Sequence, residues 1–286
     1  MDKNEHIDEF ESMFKRAERE PFVFTDVPIN SIALVTDGTQ EEAHAELASL
    51  LKFLPRFQSV STWHVINGED YSNVGQLLEA INRHPLDLIV TYRHLQEKSL
   101  VPQHSLGVYL DVLTQAIPIP VMVLPGTAAE PVSIDCRVCN RVMVIADHIS
   151  GDNALINYGA RMCSNGGLLW LCHIEDDAVF ERYMKAIERI PEIESDQARR
   201  LIEGQLLNEA TNFIETCLAV LRELEPSIHY HSFVARGHHP YEYRALIDRH
   251  DVDLLVTNTK DKDQLAMHGM AYTLSVEFSG VAILLL

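Results

Sequence analysis

The chain has 286 residues, 47% hydrophobic and 23% charged, with a formal charge of −19. These values exclude a disordered chain, a collagen and a disulfide-stapled miniprotein, and the length predicts about two domains, each able to bury a core. Such an acidic chain is a poor fit to nucleic acid or to an anionic membrane, both of which are polyanions.

No run of about 18 apolar residues occurs. The start, MDKNEHIDEFESMFKRAERE, is too charged for the apolar core of a signal peptide, so a cytoplasmic location is expected. Five irregularly spaced cysteines (Cys136, Cys139, Cys163, Cys172, Cys217) do not form a secreted disulfide framework. Cys136 and Cys139 form a CxxC, but no second compact pair of ligands follows, and a strand rather than a helix comes next. The expectation is two thiols in a linker.

Ile7, Phe10, Met13, Phe14 and Ala17 have helical spacing, so residues 1–29 read as an amphipathic helix and an extended lead-in. Ser31–Asp37 is an apolar strand. Thr39 and Glu42 have capping-box spacing ahead of a helix burying Ala43, Leu47, Leu50, Leu51 and Leu54. Val60–Ile66 is a second strand, followed by a helix with Val74, Leu77, Leu78, Ala80 and Ile81. A third strand is Asp87–Tyr92. A helix over Leu106–Ile117 and a strand over Pro120–Pro125 close this half. Continuously apolar strands alternating with helices predict a parallel sheet covered on both faces.

After a turn-rich linker (residues 127–136) the pattern restarts. Arg141–Asp147 matches Ile32–Asp37, and Leu168–Ile174 matches Val60–Val65, with His173 where His64 stands. Asp253-Leu-Leu-Val-Thr257 matches Asp87-Leu-Ile-Val-Thr91, and Gly280–Leu286 matches Pro120–Pro125. The chain is an internal duplication of residues 30–126 and 137–286. The second half adds a strand, Ser227–Val234, and a helical insert over about 178–225. The insert has a short helix near Val179–Ile190 and a long one from Asp196 to Leu224. Ser195 is its expected N-cap, and Leu201, Ile202, Leu206, Ala210, Phe213, Ile214, Cys217, Leu218, Leu221 and Leu224 are expected on one packed face.

Carried by the Asp-ended first strands, the HV and HI strand ends, the DLIV and DLLV strands and the final helix–strand units, the chain resembles the universal stress protein family in its tandem two-domain form. The resemblance implies an α/β fold of two flavodoxin-like (adenine nucleotide alpha hydrolase-like) open parallel sheets with helices on both faces. The first domain lacks one strand and the second carries the insert. It also implies that the last strands, Val121–Leu124 and Val281–Leu286, pair across the domains, and that ligands bind at the carboxyl ends of the strands.

One branch of that family binds ATP through a loop reading G-x-x-G, nine residues, then G with Ser or Thr. Here the first-half positions are Tyr92 and Leu95, and Gly107 is followed by Val108. In the second half they are Asn258 and Asp261, and Gly269 is followed by Met270, with Asp263 adding like charge. Both phosphate cradles therefore read as lost. The resemblance leaves a residual base pocket at Asp37, Val65 and Gly107 in the first half, and at Asp147, Ile174, Gly237, Asn258 and Gly269 in the second. Asp37 and Asp147 have a plainer alternative role as helix caps.

The 14 histidines invite a metal reading, since His229, His231, His238 and His239 could meet near His148. Unpaired rim histidines are the simpler reading, and no metal site is expected. Protonating all 14 would take the charge from −19 to −5, so acidification is expected to alter association. No nucleophile elbow, HExxH or P-loop is present, and no catalytic residue is nominated. The leading expectation is a stress-response or regulatory protein that binds a protein partner or small ligand without ATP. It pairs its two halves internally and forms a homodimer, the insert helices being one candidate surface. One alternative is a signalling protein holding an adenine nucleotide in the second half. The other is a metal-dependent or redox enzyme using the histidines or Cys136 and Cys139.

Overall fold

The computed structural model describes residues 22–59, 61–97, 105–135, 137–145, 152–259, 267 and 269–286. The N-terminal helix read over Ile7–Ala17, Cys136, Asp147, His148, Asp261 and Asp263 lie outside them.

In the first half, β1 (Ser31–Val35), β2 (Thr62–Ile66), β3 (Leu88–Arg93) and β4 (Val121–Thr127) alternate with α1 (Gln40–Phe53), α2 (Val74–Asn82) and α3 (Val108–Ala116). In the second half, β5 (Arg141–Ile145), β6 (Leu168–Asp176), β7 (His229–Gly237), β8 (Leu254–Thr257) and β9 (Ala282–Leu285) alternate with α4 (Asn153–Met162), α7 (His239–His250) and α8 (Gly269–Glu277). The insert helices α5 (Asp177–Ile187) and α6 (Ser195–Leu224) lie between β6 and β7.

Local chemistry sets several boundaries. Thr39 caps α1 with Glu42 in a reciprocal capping box. Asn73 caps α2 through Gln76 N–H, and Asp152 caps α4 through Leu155 N–H. The cap of α6 is Glu194, whose carboxylate accepts Gln197 N–H at 2.6 Å, and not Ser195 as the sequence suggests.

The nine strands among the described residues form one continuous sheet in the order β2-β1-β3-β4-β9-β8-β5-β6-β7. Pairing is parallel except at the centre, where β4 and β9 run antiparallel with Val121 opposite Leu285, Met122 opposite Leu284 and Val123 opposite Ile283. The two open sheets read from the sequence are thus fused at this seam. Counted within its own half, the second order is 3-2-1-4-5. The first is 2-1-3-4 and, among the described residues, lacks the strand that β7 supplies in the second.

Strand periodicity sends alternate side chains to opposite faces. Ile32, Leu34, Met122 and Leu124 join Val142, Val144, Leu254 and Leu284 in one core that crosses the seam. On the other face, Val121, Val123, Ile283 and Leu285 pack with α7 and α8, while Ala33, Val35 and Ile89 pack with α2 and α3. Arg56 adds a polar tie, donating to the carbonyls of Ala160 and Cys163 and pairing with Glu225 at 3.3 Å.

The insert divides into two packing regimes. Ala210, Ile214, Cys217, Leu218 and Leu221 of α6 are buried in the sheet-covering core, whereas Ala198 packs with Phe180 and Met184 of α5. Leu201 and Leu224, placed on the packed face by periodicity, are 42% and 52% exposed. The apolar contacts of the amino-terminal part of α6 are with α5, so the buried stripe is narrower there than its apolar spacing suggests.

Candidate functional site

At the carboxyl edge of the first half, the positions of the residual base pocket are engaged by the chain itself. Asp37 follows β1, and its Oδ2 accepts the Gln96 N–H at 2.8 Å. It does not cap α1, a role held by Thr39. The Gln96 side-chain amide donates to the Tyr71 carbonyl at 3.0 Å, and the buried Tyr71 hydroxyl donates to the Thr36 carbonyl at 3.0 Å. Val65 lies on β2 opposite Leu34 and is half-buried, and among the described residues no further strand covers that edge.

Gly107 is the N-cap of α3 with φ of +90°, where an L side chain is strained. A Cβ there would also stand 2.8 Å from Glu97 Oε2 and from His94 Cα. The reason for the crowding is Glu97 itself. Its Oε1 accepts the Val108 N–H, the first of the helix, at 2.7 Å, and its Oε2 lies 3.2 Å from His94 Nδ1. His94 is 3% exposed and hydrogen-bonds the Ser105 carbonyl through Nε2 at 2.9 Å. A carboxylate of this chain therefore occupies the anion-favouring amino terminus of α3. Burial, and next the negative charge of Glu97, push the Asp111 carboxyl in the first turn above its ordinary range.

In the second half, Ile174 on β6 is fully buried and its carbonyl receives the His239 Nε2–H at 2.5 Å. Because a carbonyl only accepts, this contact fixes the proton on Nε2. His239 Nδ1 lies 3.9 Å from Asp176 Oδ2, and Asp176 Oδ1 caps α5 by accepting the Val179 N–H at 3.0 Å. Gly237 ends β7, and a Cβ on it would meet Glu242 Cγ at 2.7 Å. Asn258 turns its amide onto the Asp152 carboxylate at the start of α4.

Between these elements lies a cavity of about 820 Å³. Its floor is the end of β6 (Ile174, Glu175, Asp176), its sides are α5, α6 and the start of α8, and His239 and Pro240 line it from α7. Of the second-half positions read from the sequence, Ile174 and Gly269 line this cavity; Gly237 and Asn258 do not, and Asp147 is outside the described residues. Sequence reasoning missed Glu97 and His94, read His239 as a candidate metal ligand and Ile202 and Leu206 as helix-packing residues, and did not place these three at a cavity. The only signal was the position of His239 two residues after Gly237, beside a strand end.

The histidines do not converge as one group. His231 lies near the amino end of β7, stacked on Trp170 at 5.4 Å and about 20 Å along the strand from Gly237, beyond whose end His239 starts α7. Among the described residues no group of three His, Cys, Asp or Glu could hold a metal ion. Cys139, Cys163, Cys172 and Cys217 are buried free thiols. Burial pushes all four thiols up, Cys163 and Cys217 to about 12, so thiolate chemistry is suppressed at those four. No helix among the described residues is long and apolar enough to cross a membrane.

No protein-family model matches the chain, and no curated protein does. Among solved structures it is similar to a universal stress protein from Archaeoglobus fulgidus, at 11% identity and TM-score 0.48, over 90% of this chain and 95% of that one. It is also similar to a functionally unknown protein from Pseudomonas aeruginosa, at 13% identity and TM-score 0.46, over 90% and 92% of the two chains. A universal stress protein from Lactobacillus plantarum aligns at 12% identity and TM-score 0.35, covering 50% of this chain and 97% of its own.

Proposed function

We propose that the protein is a universal stress protein-like regulatory or stress-response protein that acts by binding a small ligand or a protein partner, without binding ATP. The observation that carries this reading is the Glu97 carboxylate on the Val108 N–H, 2.7 Å away, where the family resemblance puts phosphate. A nucleotide triphosphate would have to displace a bonded carboxylate and approach a chain of charge −19. In the second half, His239 already takes the Ile174 carbonyl that the resemblance assigns to the base.

The test is a thermal-shift titration of the full chain with ATP and AMP, with and without magnesium. No shift with ATP is expected at concentrations that saturate ATP-binding relatives of this fold. Glu97→Ala is expected to gain a small stabilisation by ATP or inorganic phosphate. A clear ATP shift in the unaltered chain overturns the reading.

An adenine-nucleotide sensor is the second reading, favoured by Gly269, whose Cα faces open space in the cavity lining. Stabilisation by AMP that His239→Ala enhances would select it. Homodimerisation through the insert helices is part of the proposal, since Tyr183, Ile190, Leu201 and Leu224 are exposed there. Sedimentation equilibrium of the chain and of Leu201→Glu measures it.

A further inference from the structure

The cavity under the insert has a chemistry of its own. Val179, Ile187, Ile202, Leu206, Met270 and Leu274 give it apolar walls, and 820 Å³ lies within the range of pockets that enclose drug-sized molecules. Among the described lining residues the formal charges are the carboxylates of Glu175 and Asp176, and none is Lys or Arg. Two guanidiniums near the insert are engaged outside the lining, and that of Arg182 lies over the ring of the lining residue Tyr183 at 5.7 Å. Arg199 pairs with Glu181 and Glu188, and Arg236 pairs with Asp177 at 2.7 Å and Glu203 at 3.2 Å. Glu175 and Asp176 are 17% and 22% exposed, so their charge is felt inside a partly desolvated apolar space, where it is poorly screened. An apolar body is thus welcomed by the walls, an anionic head is repelled, and a cationic head is attracted.

We propose that this cavity binds a small amphiphile with an apolar body and a cationic head, an alkyl- or arylalkylammonium, with its head at Glu175 and Asp176. The inference rests on the reading of the chain as a small-ligand binder, and it names the ligand class.

Octylamine, octanol and octanoate share a body and differ in head charge at pH 7, so they separate the wall from the head. Isothermal titration of the full chain is expected to show one octylamine per chain, bound about tenfold more tightly than octanol, with octanoate weakest. Glu175→Gln is expected to bring octylamine down towards octanol and leave octanol unchanged. Leu206→Trp, which fills the cavity, is expected to abolish binding of all three, and Ile202→Phe serves if that variant does not fold. Octanoate binding as well as octylamine overturns the charge assignment. Octylamine binding unchanged in the filled variants shows adsorption to an acidic surface and overturns the site, as does the absence of binding by all three. These outcomes are independent of the ATP titration, so the ligand class can fail while the non-nucleotide reading stands.

Discussion

Asp87 and Asp253 are equivalent residues that clamp equivalent strands. Asp87 Oδ2 accepts the N–H groups of Asn30 and Ser31 at 2.8 and 3.1 Å, at the start of β1. Asp253 Oδ2 accepts those of Asn140 and Arg141 at 3.3 and 3.0 Å, at the start of β5. Each aspartate also donates its own N–H to a carbonyl of the strand it holds, Ser31 or Arg141, at 2.8 Å. The repeated Asp in the DLIV and DLLV strands is therefore a structural clasp, between β1 and β3 in the first half and between β5 and β8 in the second.

Replacing either aspartate by Ala orphans two strand-opening donors, and a loss of about 1–3 kcal/mol is expected in urea unfolding. Asp253→Ala should cost more, since Asp253 is 3% exposed and Asp87 is half-buried. Burial outweighs the Arg141 charge and the backbone donors and raises the Asp253 carboxyl above its ordinary 3.8. The folded state then holds this proton more tightly than the unfolded chain. The resulting contribution is full below about pH 3.8 and is lost as pH rises through the folded value. Asp253→Asn, which keeps an acceptor without the charge, should be the milder change at pH 7.

How far the sequence foretold this follows from the range of the interactions involved. The Thr39–Glu42 box spans three residues and is visible as a pattern. The apolar strands and the DLxVT repeat are visible because burial on both faces demands them. Leu201 and Leu224 were misplaced because periodicity reports which residues share a helix face, and not how far along the helix a neighbour extends. Glu97 on Val108 and His239 on Ile174 join residues 11 and 65 positions apart through loop geometry, so no spacing rule could find them.

Glu97 acts on α3 as both an acceptor and a charge. Glu97→Gln retains an amide oxygen for the Val108 N–H and should lose only the dipole contribution, about 0.3–1 kcal/mol. Glu97→Ala also loses the cap, about 1 kcal/mol more. Chemical denaturation of the two variants separates these contributions, and equal losses would show that the Val108 bond contributes nothing measurable.

Arg93 ties the halves without a carboxylate partner among the described residues. Its guanidinium, on a residue 1% exposed, donates to the carbonyls of Leu124 and Gly126 on β4 and of Ser275 on α8 in the other half, while Nη2 is buried without a hydrogen bond. Burial pushes the group down to about 10. Arg93→Lys cannot reproduce a three-way planar donor and should lose about 2 kcal/mol or more. Arg93→Ala adds a cavity and should lose about 3 kcal/mol or more, with Arg93→Met between Ala and the unaltered chain. Unfolding midpoints in urea order the three, and an Arg93→Lys variant of full stability would remove the geometric argument.

Acid sensitivity is expected at the ring stack around Trp170. His231 lies 5.4 Å from the indole and His250 lies 5.0 Å from it, and the tryptophan is 7% exposed. Burial, then the charges of Arg249 and His231, hold the His250 imidazole below its ordinary 6.5. Burial and His84, 4.1 Å away, do the same to His64. The folded state therefore binds these protons less readily than the unfolded chain. Stability from both groups is present above about pH 6.5 and is lost as pH falls through the window below it. Urea midpoints measured from pH 7.5 to 5.5 should decline, and His250→Gln should flatten part of that slope. The emission of Trp170, separated from that of Trp63 with a Trp170→Phe variant, should change over the same window. Midpoints and emission that stay level from pH 7.5 to 5.5 would show that the stack accepts protons at no cost to the fold.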